Sequence, residues 1–369
     1  MLILLGVAVL LLAGAGLFLQ KPVFGSAPWK PERLERIQKS AVYRDGRFEN
    51  LLPTPMRAEN VGWLKFFRLM LGPKSPRNVP DKPLPMVRQD IRNLETEGPL
   101  RVIWFGHSSY LLLLQGKRIW VDPVFSTHIS PISLFGATPY PGTDLYQPGD
   151  LPVGDLIVLT HDHYDHMDYL TLSTWIKNAG PELRFLTSLG VGEHLEKWGV
   201  KPEQITELDW WESATPIPGF RFSAVPARHF SGRSLSRNVS LWSGFVLETD
   251  STRILIGGDS GYGPHFAEIR QQFGAFDLVF LECGQYSELW PLIHMSPEET
   301  VRAARDLEAG ALFPVHWGKF SLALHDWDEP VLRVAKEADR QGLRLVTPQM
   351  GETAYPLENR SYDRWWEGR

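Results

Sequence analysis

Hydrophobic and polar positions alternate differently in successive parts of this 369-residue chain. Residues 1–20 carry no charged side chain, and their length matches the ~20 residues that cross a bilayer as a helix. From residue 100 onward, short apolar runs recur with the period of strands. Residues 101–105, 110–114 and 118–121 are separated by Gly-containing turns, which predicts an antiparallel meander. The wholly apolar run 156–159 predicts a buried strand, and further strands are predicted at 183–187, 220–226, 243–248 and 253–257. Helical spacing is present at 170–178 and 192–198. Later the two periods alternate, with helices at 264–273 and 297–307 and strands at 278–281 and 311–314. Strands first and alternation afterwards predict an α/β fold, a four-layer sandwich of two sheets with helices outside. No short fixed-period repeat or low-complexity tract interrupts it.

The N-terminal part reads separately. No basic residue precedes Leu2, so residues 1–20 are expected to be an uncleaved membrane anchor rather than a secretory signal, with Ala13-Gly14-Ala15 as the site a peptidase would use in the alternative. Lys21, Lys30, Arg33, Arg36 and Lys39 follow, which by the positive-inside rule leans the body toward the cytoplasm. The interspersed Glu32 and Glu35 weaken that lean, and an exported body is the alternative. Residues 21–98 read as an accessory extension, punctuated at its start by Pro22, Pro28 and Pro31. Within it, residues 62–71 are strongly apolar, and a helix there places Lys65 and Arg68 on one face among aromatic side chains. Such a helix fits either packing on the main domain or lying on a membrane surface, basic edge toward lipid phosphates. Residues 72–85, rich in Pro and charge, read as a linker over the surface. The body is expected at 99–355, followed by a tail at 356–369.

Composition changes this picture little. Hydrophobic residues make up 43% and charged residues 22%, as in ordinary globular proteins. A net charge of -5 leaves no electrostatic footprint for nucleic acid. The lone Cys283 excludes an internal disulfide, so cysteine says nothing of the compartment. Most of the 14 tryptophans are expected in the core.

The chemistry is concentrated after the strand at 156–159. There the chain reads Thr160-His161-Asp162-His163-Tyr164-Asp165-His166, placing three of the 11 histidines and two carboxylates in one turn. Imidazole and carboxylate together suit a borderline cation such as zinc. Alternate residues His161 and His163 can face one ion while Asp165 and His166 reach a second; a solvated polar loop is the bland alternative. Three more predicted strands run into His229, Asp259 and His316. Any one of these, alone, reads more readily as structural.

Taken together these motifs resemble the metallo-β-lactamase-fold hydrolases across roughly residues 95–350. Within that fold the chain is similar to the N-acylphosphatidylethanolamine-hydrolysing phospholipase D group and its bacterial relatives. The resemblance is carried by Gly106-His107-Ser108, Asp122-Pro123, the 161–166 cluster, Ala227-Arg228-His229-Phe230, Gly258-Asp259-Ser260-Gly261-Tyr262-Gly263-Pro264, Phe276-Asp277-Leu278, His294-Met295-Ser296-Pro297-Glu298-Glu299 and His316-Trp317-Gly318. In the extension it is carried by Pro22-Val23-Phe24-Gly25 and by the segment from Tyr43 to Asn50. The resemblance implies two zinc ions, one held by His161, His163 and His229, the other by Asp165, His166 and His316. Asp259 would bridge them together with a hydroxide. It implies catalytic roles for Asp259 and Asp165, and it marks His294 as the candidate proton donor or substrate contact, unless His294 merely caps the helix that follows. His107, Asp122 and Asp162 are candidates for orienting the ligand imidazoles, with His107 equally readable as structural. Tyr262, Glu282 and Tyr286 are further candidates near the substrate.

The run from Glu282 to His294 departs from the phospholipase group. It is slightly shorter, lacks that group's Arg and adds Glu282, so the departure bears on the substrate rather than on the metals. The expected activity is a binuclear zinc phosphodiesterase acting on membrane phospholipid, with the oligomeric state left open and a homodimer among the options. A hydrolase of a small polar ester, lactone or sugar phosphate is the alternative, and a non-catalytic zinc-binding membrane protein is the reading from another class.

Overall fold

The computed structural model describes residues 16–25, 30–59, 61–72, 74–132, 136–233 and 236–369, and leaves the side chains of Met70 and Leu71 undescribed. Most of the hydrophobic segment, with Ala13-Gly14-Ala15, lies outside the described residues. Among those described, no helix is long and apolar enough to cross a membrane.

The extension contributes helix α1 (Pro31–Lys39), the small hairpin β1 (Tyr43–Arg44) and β2 (Arg47–Phe48), and helix α2 (Trp63–Leu71). The body follows with β3 (Arg101–Trp104), β4 (Tyr110–Leu114), β5 (Lys117–Val121), β6 (Leu156–Leu159), helix α3 (Tyr169–Asn178), β7 (Arg184–Ser188), helix α4 (Gly192–Lys197) and β8 (Ile205–Leu208). Its second half holds β9 (Ser213–Ile217), β10 (Phe220–Val225), β11 (Gly244–Glu248), β12 (Arg253–Ile256), helix α5 (His265–Phe273), β13 (Leu278–Glu282), helix α6 (Pro297–Asp306), β14 (Leu312–Val315), helix α7 (Glu329–Gln341) and β15 (Thr353–Ala354).

These strands form two mixed sheets, one of seven strands ordered β15-β3-β4-β5-β6-β7-β8 and one of six ordered β14-β13-β12-β11-β10-β9. Alternation along the first sheet explains why both of its faces are apolar. Val102, Trp104, Tyr110, Leu112, Val121 and Val158 point into the core shared with the second sheet. Their neighbours Ile103, Leu111, Leu113, Trp120 and Ile157 point outward under α3 and α4, against Leu172, Trp175 and Leu195. Tyr110 and Phe280 stack across the two sheets with centroids 4.2 Å apart. On the far face of the second sheet, Val301 and Ala304 of α6 and Val331, Val334 and Ala338 of α7 complete the fourth layer.

Local sequence explains the helix ends. Asp168 accepts the backbone N–H groups of Leu170 and Thr171 at the start of α3. Ser296 and Glu299 form a reciprocal capping box around Pro297 at the start of α6. That box caps α6 without His294.

Three expectations change. Residues 356–369 are not a tail: Trp365 and Trp366 are buried, and Trp365 stacks on Trp317 at 5.4 Å. Nor does 72–85 only run over the surface as a linker, since Asn78 is buried and donates to the carbonyls of Ala323 and His325, and Leu84 sits in the main core. Nor is the described part of the extension merely accessory, since Ile37 and Phe48 are packed against Leu189, Trp210 and Trp242 of the body.

Candidate metal centre

Chain direction gathers the site. In the first sheet β3, β5 and β6 run the same way, because β4 is antiparallel to both β3 and β5 while β5 and β6 are parallel. In the second sheet β10, β12, β13 and β14 share a direction by the same logic. The C-terminal ends of these seven strands lead to His107, Asp122, His161, His229, Asp259, Glu282 and His316 in turn. Several residues at this rim take left-handed backbone, with φ of 53° at His107, 40° at Asp122 and 68° at His316. Non-glycine residues adopt it only when their surroundings hold them there, so the chain turns sharply off the strand and the side chain swings into the cluster.

The ligand-type atoms of His161, His163 and His229 lie within 4.8 Å of one another, as do those of His107, Asp165, His166 and His316. Asp259 stands between these sets. Its Oδ2 is 3.2 Å from His166 Nε2, 3.7 Å from His229 Nε2 and 3.9 Å from His161 Nε2, and its Oδ1 is 3.1 Å from His316 Nδ1. All seven residues inferred as ligands thus meet at one place.

Neighbouring bonds orient the rings. Asp122 Oδ2 is 2.8 Å from His166 Nδ1 and also accepts from the Thr160 hydroxyl. The Ile293 carbonyl accepts from His229 Nδ1 at 2.9 Å. Both bonds place the ring proton on Nδ1 and leave the Nε2 lone pair facing the cluster, the form a metal needs. His107 Nε2 is 3.0 Å from Asp165 Oδ2, and Ser108 Oγ is 3.0 Å from His316 Nδ1.

Electrostatics test the fit. Burial lowers His163 to about 4 and takes His161, His229 and His316 well below the usual imidazole range. Burial raises the Asp259 carboxyl to about 6, against the opposing pull of His166. Burial would lower His166 too, but Asp259, Asp165 and Asp122 together hold its proton well above the ordinary range. Buried Asp122 and Asp259 and the partly buried Asp165 therefore converge on one imidazole and demand positive charge there. His166 Nε2 and Asp259 Oδ1 are also buried and, although ligand-type atoms stand 3.2 and 3.1 Å away, make no well-aligned hydrogen bond, a costly condition that a cation would relieve. Neutral imidazoles, carboxylates in need of a cation and orphaned donor atoms make this cluster able to bind metal.

The remaining candidates divide. Glu282 is fully buried, accepts the Ser260 N–H at 2.7 Å and lies 2.6 Å from His294 Nδ1. His294 sits beside Asp259 and His316, its ring centroid 5.2 Å from that of His316. Asp162 does not orient a ligand ring. Successive residues of the loop point to opposite sides, so its carboxylate faces away and accepts from Gly232 N–H and the Ser240 hydroxyl. The hydroxyl of Tyr262 donates to Asp306, and that of Tyr286 to Glu329, so neither reaches the cluster. Sequence reasoning missed Arg233, whose guanidinium is bonded to the ligand loop, and the direct grip of Asn50, which donates to the carbonyl of His229 and accepts its N–H. The segment containing Asn50 had signalled only a resemblance.

Above the cluster is a cavity of about 230 Å³ whose walls include Met56, Phe66, Phe230, Trp290, Ile293 and Leu322. On the other side of His294 lies a more polar cavity of about 510 Å³, lined by Tyr286, Glu288, Glu329 and Arg333 among others.

Comparison with known proteins agrees with this geometry. The beta-lactamase superfamily domain matches residues 117–317. An uncharacterized protein of Mycobacterium tuberculosis is 39% identical over 336 residues, 89% of this chain and 88% of that one. The N-acyl-phosphatidylethanolamine-hydrolyzing phospholipase D 1 of Caenorhabditis elegans is 29% identical over 336 residues, 84% of this chain and 92% of that one. The solved structure of Igni18, a metallo hydrolase from the archaeon Ignicoccus hospitalis, superposes with a TM-score of 0.54 at 20% identity, covering 69% of this chain and 97% of that one. That last likeness speaks to the fold alone.

Asp122 gives the sharpest test of the site. Asp122→Asn keeps the side chain's size but removes the carboxylate that fixes His166 Nδ1. Metal retention after dialysis against a chelator should fall about 10–100-fold. Retention equal to wild type would show that His166 needs no such partner.

Proposed function

The chain belongs to the metallo-β-lactamase-fold family of metal-dependent hydrolases, and from that premise we propose that it is a zinc phosphodiesterase of the phospholipase D type, acting on N-acylphosphatidylethanolamine-like phospholipid. One observation carries the reading: the acid–imidazole cluster opens into a cavity walled by Met56, Phe66, Phe230, Trp290 and Leu322. Such a site suits a substrate with a charged ester at one end and a long apolar body at the other. The relative from Caenorhabditis elegans supports the same substrate class.

His161, His163 and His229 would hold one Zn²⁺, and Asp165, His166 and His316 the other, with Asp259 facing both. When bound, the pair supplies a water of lowered pKa and offsets charge on phosphoryl oxygens. Seven N and O ligands exceed what one tetrahedral ion takes. Metal analysis should therefore give about two equivalents of zinc, and His316→Ala should lose one preferentially. A fully active protein with a single equivalent would contradict this.

His294 is assigned the proton delivered to the leaving oxygen. Burial raises the Glu282 carboxyl well above its usual range and lowers His294, so the proton between them rests on Glu282. Glu282 then donates to Nδ1, and His294 carries its own proton on Nε2, facing the cavity. As that proton passes to the departing alkoxide, the Glu282 proton follows to Nδ1 across 2.6 Å. His294→Gln should cost about 10²–10⁴-fold on a substrate with an alkoxide leaving group and little on one with an activated phenolate. Equal losses on both, with zinc content unchanged, would make His294 a positioning residue.

The larger polar cavity beyond His294 favours a second reading, a small polar ester, lactone or sugar phosphate. Release of fatty-acid ethanolamide from phospholipid in detergent, measured beside a panel of lactones and phosphate esters, separates the two.

The membrane is proposed as the surface on which the enzyme works. Helix α2 seats Phe66 against Trp290 but leaves Trp63, Leu64 and Phe67 exposed, Leu64 to 90%. Exposed Lys65 and Arg68 flank them. The helix is thus packed on the body on one side and apolar on the other, which supports contact with a lipid surface. A chain lacking residues 1–20 should still partition onto anionic vesicles, more weakly at high salt, and the Trp63→Ser, Phe67→Ser variant should not. Equal partition of the two would remove α2 from the membrane surface.

A further inference from the structure

Arg233 is nearly fully buried, yet no carboxylate lies within ion-pair distance of it among the described residues. Its guanidinium instead joins the extension to the 161–167 loop through three carbonyls. Nε donates to Val23 O at 2.9 Å, and Nη1 donates to Asp162 O at 3.0 Å and Met167 O at 2.6 Å. The rings of Tyr164 and Trp198 flank it, with centroids 4.3 and 5.0 Å from Cζ. A planar fork with donors spread over two nitrogens reaches carbonyls on both stretches at once, a span that the compact ammonium of a lysine does not match.

The same stretch of extension reaches the ligand loop by a second path. Gly25 has a φ of 67°, and a Cβ there would stand 2.1 Å from His194 Nδ1, so the backbone at residue 25 lies flat against that ring. His194 Nε2 is in turn 3.4 Å from Asp162 Oδ2. The stretch is itself pinned to the end of α4, where Lys197 Nζ donates to Gly25 O at 2.5 Å and Trp198 Nε1 to Pro22 O at 2.8 Å. Both paths end on Asp162, the residue between His161 and His163.

We propose that Pro22–Gly25 is a clamp that positions the metal-ligand loop, acting on Asp162 through Arg233 and His194. Arg233 is then a positioning residue for metal binding, and the hydrophobic N-terminal segment is joined directly to the part of the chain that sets the geometry of the site. This rests on the reading of 161–166 as a metal-ligand loop and is independent of the substrate.

The test is Zn²⁺ affinity of the metal-free full chain, titrated against a chelator of known affinity, beside thermal melting with and without Zn²⁺. Gly25→Ala drives a methyl into His194, and Arg233→Lys removes the guanidinium that ties Val23 to the 161–167 loop; each should weaken Zn²⁺ binding about 10–100-fold. Gly46→Ala is the control, since Gly46 also has a positive φ, of 81°, but its Cβ would meet nothing within 4 Å. It should bind Zn²⁺ as wild type does. Lys197→Met removes only the bond to Gly25 O and should show a smaller loss in the same direction, which keeps the test open if Arg233→Lys does not fold. A clamp that merely stabilises the fold would lower melting temperatures while Zn²⁺ affinity stayed at the wild-type value in Gly25→Ala and Lys197→Met, and that result overturns the proposal. Failure of the wild-type chain to bind Zn²⁺ would instead sink the metal reading, and the clamp with it.

Discussion

Three carboxylates, two of them buried and Asp165 partly so, converge on the His166 imidazole, and the arrangement of the rim answers to that concentration of negative charge. Asp122, Asp165 and Asp259 come from the ends of different strands, and none is solvated enough to stand alone. In a dry interior such groups must be matched by positive charge and by hydrogen bonds. Parallel strand ends bring them together, the left-handed turns at His107, Asp122 and His316 aim the side chains inward, and the surrounding imidazoles, lowered by burial, are left neutral as ligands. The sandwich supplies rigidity behind them: stacked pairs such as Tyr110 and Phe280 lock the sheets whose ends form the site.

Around this polar floor the walls are apolar, and much of that wall does not come from the sandwich. Met56 and Phe66 belong to the extension, and Phe66 packs on Trp290 from the segment before α6. The same helix turns its other aromatic side chains outward, so one short element both closes the cavity and presents an apolar surface beside its mouth. The proposed phospholipid substrate would use both features, since its apolar part would leave the lipid phase and enter the site without crossing water.

The extension is therefore part of the enzyme rather than an appendage. Asn50 holds the backbone of His229 on both its N–H and its carbonyl, while Val23 and Gly25 reach the 161–167 loop by way of Arg233 and His194. Two well-separated stretches of the extension brace two separate ligand-bearing loops. Glu282 plays the corresponding part from the core, fixing His294 at the junction of the two cavities.

The sequence by itself determined the fold class, most strands of both sheets, and the residues that meet at the cluster. Strand period and the dense His161–His166 turn are local signals, readable without knowing what lies opposite. It left α7 unassigned although Val331, Val334, Ala335 and Ala338 recur at helical spacing, and it passed over β8 and β9, whose half-polar edge positions blur the alternation. Tyr262 and Tyr286 stood in suggestive motifs, but their hydroxyls are held by Asp306 and Glu329 on neighbouring helices. Only the tertiary structure decided those pairings, the turn of Asp162 away from the ligand rings, the burial of Trp365 and Trp366, and the tie from Val23 to Arg233. The physical reason is the same in each case. A side chain's burial follows from the period of its own strand or helix, whereas its partner is set by which distant segment the topology lays beside it, and residues two hundred positions apart leave no local mark of their contact.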